Sequence, residues 1–270
     1  MSSIIILNTA DLCAENNVNS ILELLKDERT SISDKYAISK KILDYRVEDK
    51  ICIIEEIVNQ TKNSLDKDRL INLYIDLSLL YQSINNNSKE RMHLDYAYEH
   101  IGASPNNNTN AYLCCLMGNY FFTLQDEAKS FEFYRKGLDY CKKSKGTEIT
   151  ELKILYRISA FYNLKTDRKS LRESANQMLL IANKKKSNEA YFITYPICAA
   201  YYRTSCNDPQ ISDDEYFSFL DSVYYYDKKT MEIYESADET FKKNWASSMT
   251  KYYTNFAEST IVRDSSDWQK

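Results

Sequence analysis

The sequence predicts an all-α chain built as an array of antiparallel helix hairpins, an α-α solenoid. Three observations carry that expectation. The first is a recurring phrase: an apolar residue, a small one, and an aromatic three positions further on. It reads Leu77-Ser78 with Tyr81, Met117-Gly118 with Phe121, Ile158-Ser159 with Tyr162 and Ile197-Cys198 with Tyr201. The intervals are 40, 41 and 39 residues (117 − 77, 158 − 117, 197 − 158), and a near-constant period of this size marks stacked units that bury their apolar faces against neighbours. The second is the scarcity of breakers, 4 Gly and 3 Pro in 270 residues, which leaves little room for hairpin turns or a phosphate-cradling loop. The third is an excess of Tyr over Phe, 23 against 10. A tyrosine ring packs while its hydroxyl reaches water or a carbonyl, as a surface buried on one side requires.

Taken in order, residues 1–65 read as an irregular lead-in followed by a degenerate first hairpin. Ile21, Leu22, Leu24 and Leu25 make a short helix before the Asp27-Glu28-Arg29 turn. A hairpin over 33–44 and 48–62 follows, with Ile51, Ile54, Ile57 and Val58 on one helical face. The array proper spans 66–234, as pairs 67–84 with 87–101, 108–124 with 126–144, 148–164 with 167–184, and 188–205 with 212–234. Asn85-Asn86-Asn87 tolerates left-handed backbone, and Ser104-Pro105 followed by three Asn breaks the chain. Gly146 suits a helix C-terminal cap and Thr147 the next N-cap. Pro196 kinks its helix or starts it. Ser212 with Glu215 forms a capping box. A final helix in 235–262 carries Phe241, Trp245, Met249, Tyr252 and Phe256 at steps of three and four, and 263–270 reads as a polar tail.

Charge and inventory narrow the chemistry. A net charge of −4 offers no basic surface for nucleic acid. Lys142, Lys143 and Lys145, and Lys184 to Lys186, fall at helix ends, where cations complement the dipole. Seven cysteines, an odd number, fit no metal spacing; Cys114 and Cys198 fall on buried faces. No stretch approaches the roughly 20 apolar residues of a membrane span, and Ile4 to Leu7 is too short for a signal peptide, so a cytoplasmic location is the default. His93 and His100 lie seven apart, roughly 10 Å along a helix, too far to chelate one ion, and are expected exposed or half-buried. Ser64 and Lys67 match Ser-x-x-Lys without its companion motifs. With two His and four Gly, no catalytic constellation assembles, and neither a metal nor a cofactor is expected.

The unit Cys114-x-x-Met117-Gly118-Asn119-x-Phe121, then Ser130-x-x-x-Tyr134-x-x-Gly137, resembles a tetratricopeptide repeat. The small residue at 118 lets two helices approach, and Phe121 fills the space one turn later. Tyr74, Leu77, Ser78, Tyr81, Leu94 and Ala97 fit less fully, with Glu90 where a small residue is expected; Leu155, Ile158, Ser159 and Tyr162 fit, while Leu171 and Ala175 invert the order. The resemblance covers roughly 66–205 and implies a tetratricopeptide-like superhelix. Its first helices would line a concave groove holding an extended peptide or a partner helix. By position that groove presents Gln82, Asn119, Phe122, Tyr156, Asn163, Tyr195, Tyr202 and Arg203. Asn119 matches an asparagine that contacts ligand backbone in peptide-binding members, or else simply follows the packing pattern. A looser likeness in composition and unit length links the chain to the sensory regions of Bacteroidetes-type regulators, which precede a membrane helix and a histidine kinase or DNA-binding effector; that context implies a periplasmic location. The expected function is a non-catalytic protein- or peptide-binding scaffold, with a small-ligand sensor, its pocket inside the superhelix, as the alternative.

Overall fold

A computed structural model of the chain describes residues 18–42 and 44–267. The predicted lead-in over 1–17 and the last three residues of the predicted tail lie outside the described residues. Those described form twelve α-helices and no strand. They are α1 Val18–Lys26, α2 Ile32–Ser39, α3 Val47–Thr61, α4 Lys67–Ser83, α5 Asn87–Glu99, α6 Asn107–Thr123, α7 Glu127–Lys142, α8 Glu148–Leu164, α9 Arg168–Lys185, α10 Asn188–Ser205, α11 Asp213–Ser236 and α12 Glu239–Asp267. The chain divides between Ser130 and Phe131, inside α7, into two compact units.

In the first unit α4 packs chiefly on α5, and α3 on α1, α2 and α4. Its core holds Leu25, Ile53, Ile57, Ile71, Leu73, Leu77, Leu94, Leu113 and Cys114, including the expected α3 face. Gly118 is buried, and the Ser130 hydroxyl donates to its carbonyl at 2.9 Å. That bond requires the backbone of α6 to come within reach of a serine on α7. In the second unit α8, α9 and α10 share a core of Leu152, Leu155, Leu171, Met178, Ile193 and Cys198. From the stripe on the last helix, Met249 and Tyr252 are buried against Phe192 and Met231, with Phe241, Trp245 and Phe256 partly buried beside them.

The recurring phrase has a backbone counterpart. Three turns of three residues separate α4 from α5, α6 from α7 and α8 from α9, and each is built alike. Asn85, Gln125 and Thr166 take left-handed backbone, with φ of 57°, 60° and 53°. The following N–H groups, of Asn86, Asp126 and Asp167, donate to the carbonyls of Tyr81, Phe121 and Tyr162 at 2.9, 3.0 and 3.0 Å. The left-handed residues themselves donate to Gln82, Phe122 and Asn163. This is the paired Schellman pattern, which satisfies carbonyls that a helix end leaves open. The side chains of Asn86, Asp126 and Asp167 then cap the next helix, each accepting a backbone N–H at 3.1 Å. The aromatic of the phrase is therefore both a packing residue and the carbonyl that anchors the turn.

Three expectations about elements are corrected, and one open alternative is narrowed. The helix expected over 33–44 ends at Ser39, where the chain turns and places Ile42 and Tyr45 in the core. Of the two readings of Pro196, a helix start is excluded: α10 runs through it from Asn188 to Ser205, and the ring leaves the Phe192 carbonyl without its usual i+4 donor. Thr147 precedes α8 without a side-chain cap bond, because its hydroxyl donates backward to the Cys141 carbonyl at 3.0 Å; Gly146 before it is left-handed as expected, φ 85°. Finally, α12 continues to Asp267, into the segment read as tail. The Ser212–Glu215 capping box is present in both directions.

Candidate functional site

In the first unit the candidate residues are divided between contacts within the chain and solvent. Gln82 donates from Nε2 to Glu90 Oε1 at 2.8 Å. Glu90, anomalous where the repeat calls for a small residue, is buried, and burial pushes its carboxyl above the usual range against that bond. Asn119 is half-buried and has an interaction partner within the chain. Phe122, 39% exposed, is the one of the three that presents a large apolar surface.

His93 departs from its expected exposure: it is 4% exposed, whereas His100 is half-buried. The Tyr74 and Tyr81 rings stack along it at 6.1 and 5.3 Å, and Tyr96 meets it edge-on at 6.1 Å. Neither ring nitrogen has a hydrogen-bond partner. Burial lowers its pKa to about 4, with Glu55 opposing and Lys89 reinforcing the shift, so the ring is neutral near pH 7. The signal for burial was its position beside Leu94 and Ala97, both in the core.

In the second unit the residues carried over from the repeat are largely engaged by the chain itself. The hydroxyls of Tyr156 on α8 and Tyr252 on α12 hydrogen-bond to each other, and burial with that bond holds the Tyr252 phenol well above its ordinary value. Asn163 Oδ1 accepts from Thr204 Oγ1 at 2.9 Å. Arg203 Nη2 donates to Asp227 Oδ2 at 2.8 Å. Asp227 is 6% exposed; burial pushes its carboxyl up, while Arg203 and the Ser259 hydroxyl of α12 pull it down. These three positions fasten α8, α10, α11 and α12 together.

Tyr195 and Tyr202 belong to a run of stacked rings. Tyr191 lies 5.3 Å from Tyr195, Tyr195 lies 5.5 Å from Tyr226, and Tyr226 stacks on Tyr202 at 5.9 Å and 14°. Burial pushes the phenols of Tyr195 and Tyr226 up to about 12, so both hydroxyls stay protonated at neutral pH. At the Tyr202 end the run opens into a cleft of about 680 Å³ beside α11. Tyr202, Phe217, Tyr225 and Tyr226 supply aromatic walls, and Asp214 and Asp221 supply carboxylates.

Among known proteins, no family model matches the chain. No curated protein matches it either. The geometry alone therefore speaks for the site.

The cleft residues on α11 escaped the repeat-based reading because that reading confined the groove to first helices. A sequence signal exists: Asp214, Phe217, Ser218, Asp221, Ser222 and Tyr225 advance by three, one, three, one and three, a single helix face. Among the described residues no group of His, Cys, Asp and Glu gathers to hold a metal ion, and no helix is long and apolar enough to cross a membrane.

Proposed function

We propose that the chain is a non-catalytic, tetratricopeptide-like scaffold that binds a protein or peptide segment, and that Tyr202 marks its binding surface in the second unit. The cleft at Tyr202 carries this reading. Of the residues expected to line a groove in that unit, Tyr156, Asn163 and Arg203 are spent on internal hydrogen bonds, whereas Tyr202 faces an open cleft. Tyrosine walls give large contact area at low conformational cost, as binding surfaces use them. The identical construction of three turns supports the repeat architecture on which the proposal leans.

A small-ligand sensor is the second reading. The cleft volume, about 680 Å³, falls within the range of roughly 300–1,000 Å³ typical of small-molecule sites. Thermal-shift screening against a peptide array and a metabolite panel separates the two. Peptides that raise the melting temperature of the wild type but not of Tyr202→Ala support the scaffold. Metabolites that do so instead support the sensor, and no shift with either panel removes both.

A further inference from the structure

We propose, on the binding-scaffold reading above, that the α11 cleft takes a basic peptide segment, seating lysine or arginine side chains between its aromatic walls and its carboxylates. The lining contains four aromatic residues, two aspartates and two serines, with no lysine, arginine or histidine. An aromatic face attracts a cation through its quadrupole, and a nearby carboxylate adds direct charge attraction. An uncharged guest could donate hydrogen bonds to Asp214 and Asp221 but would gain no charge attraction from them, and an acidic one would be repelled.

One of the lining residues already makes such a contact within the chain. Lys229 Nζ stands 6.0 Å from the centre of the Tyr225 ring while pairing with Glu232 at 2.7 Å. A Tyr225 face thus accepts an ammonium group at cation–π distance within the fold. Arg203, next to Tyr202 in the chain, is held by Asp227. A carboxylate has about four acceptor sites, so a bond made by an aspartate within the chain does not exhaust it.

The spacing of the two carboxylates sets the form of the guest. Asp214 and Asp221 lie on the same helix two turns apart, about 10 Å at 1.5 Å per residue. Three residues of a polyproline II segment cover about 9 Å, at roughly 3.1 Å each, and complete one turn, so side chains at i and i+3 share a side. Cationic residues at positions i and i+3 of such a segment therefore match the site, one to each aspartate.

Isothermal titration of the full chain with blocked synthetic peptides tests this. The panel holds a peptide with lysines three apart, its counterparts with glutamine or glutamate at both positions, and spermidine as a non-peptide polyamine. The dilysine peptide is expected to bind at least about tenfold more tightly than the glutamine form, and to weaken as salt rises from about 50 to 500 mM. Asp214→Asn and Asp221→Asn, both at exposed positions and therefore tolerated by the fold, are expected to cost about three- to tenfold each. Equal affinity for the lysine and glutamine peptides, or unchanged binding in the double Asp→Asn variant, overturns the inference. If the glutamine or glutamate peptide binds and Tyr202→Ala abolishes it, the cation inference fails and the scaffold reading stands. Binding of spermidine alone overturns the peptide guest. Absence of heat with every peptide, in the panel and in the array above, overturns the scaffold as well.

Discussion

The buried histidine of the first unit makes stability depend on pH in a direction and size that can be worked out. His93 has a folded pKa of about 4 against 6.5 for the free side chain. Between those values the unfolded chain binds a proton that the folded chain refuses. Stability is therefore full above about pH 6.5 and falls with acidification until about pH 4, below which this contribution is constant. At about 1.4 kcal/mol for each pH unit, the loss amounts to about 3 kcal/mol. Charges facing the ring are Glu55 from α3 and Lys89 on its own helix, with Glu90 nearby in sequence and also buried. The perturbation is His93→Phe, which keeps a flat ring between Tyr74 and Tyr81 and removes the two nitrogens that have no partner. Urea unfolding is measured for both proteins from pH 7.5 to 4. Carboxylates titrate in both, so the difference between the curves isolates position 93. At pH 7.5 the variant is expected to equal or exceed the wild type, since unpaired buried polar atoms cost stability. At pH 4 it is expected to be about 3 kcal/mol better off relative to wild type than at pH 7.5. A difference that stays flat across the range would refute the buried, neutral assignment of this ring.

Three further predictions probe the architecture. Gly118→Leu is expected to overpack the contact with Ser130 and cost about 1–3 kcal/mol, read as a lowered urea midpoint with unchanged slope; no change would show that the two helices do not need close approach. Thr166→Gly relieves a β-branched residue at φ 53° and is expected to stabilise by about 1 kcal/mol, whereas the same change at Thr109, inside a helix, should destabilise. Tyr156→Phe and Tyr252→Phe should each cost about 1 kcal/mol and the double variant little more; additive losses would deny that their hydroxyls bond to each other.

The helices were legible because few residues interrupt them and because their caps are spelled in the sequence. Asn86, Asp126 and Asp167 each stand five positions after the phrase's aromatic, where the turn needs a residue that caps the next helix. The fourth phrase lacks this: Cys206 occupies the place, α10 ends there with ordinary right-handed backbone, and a longer loop follows. The end of α2 was misread because Ile38 and Ile42 keep helical spacing although both are buried on either side of a turn. The candidate site was less legible. Tyr156 meets Tyr252, and Arg203 meets Asp227, across segments whose pairing only the packed helices decide. A tyrosine committed to an internal bond and one facing a cleft look alike in a pattern of residue types.

The repeated turns also bear on how the chain reaches its native state. The Schellman bonds join residues three or five apart, and the strongest packing links helices that follow one another in sequence. Loops of three residues close with little entropy loss, and chains dominated by local contacts fold in microseconds to milliseconds. Assembly can then proceed by zippering from any of the three turns. The bonds from α12 back to Tyr156 and Asp227 join residues far apart in sequence, so they form late. Under mild denaturant α12 is the segment expected to exchange its amide hydrogens first, ahead of the hairpins it closes on.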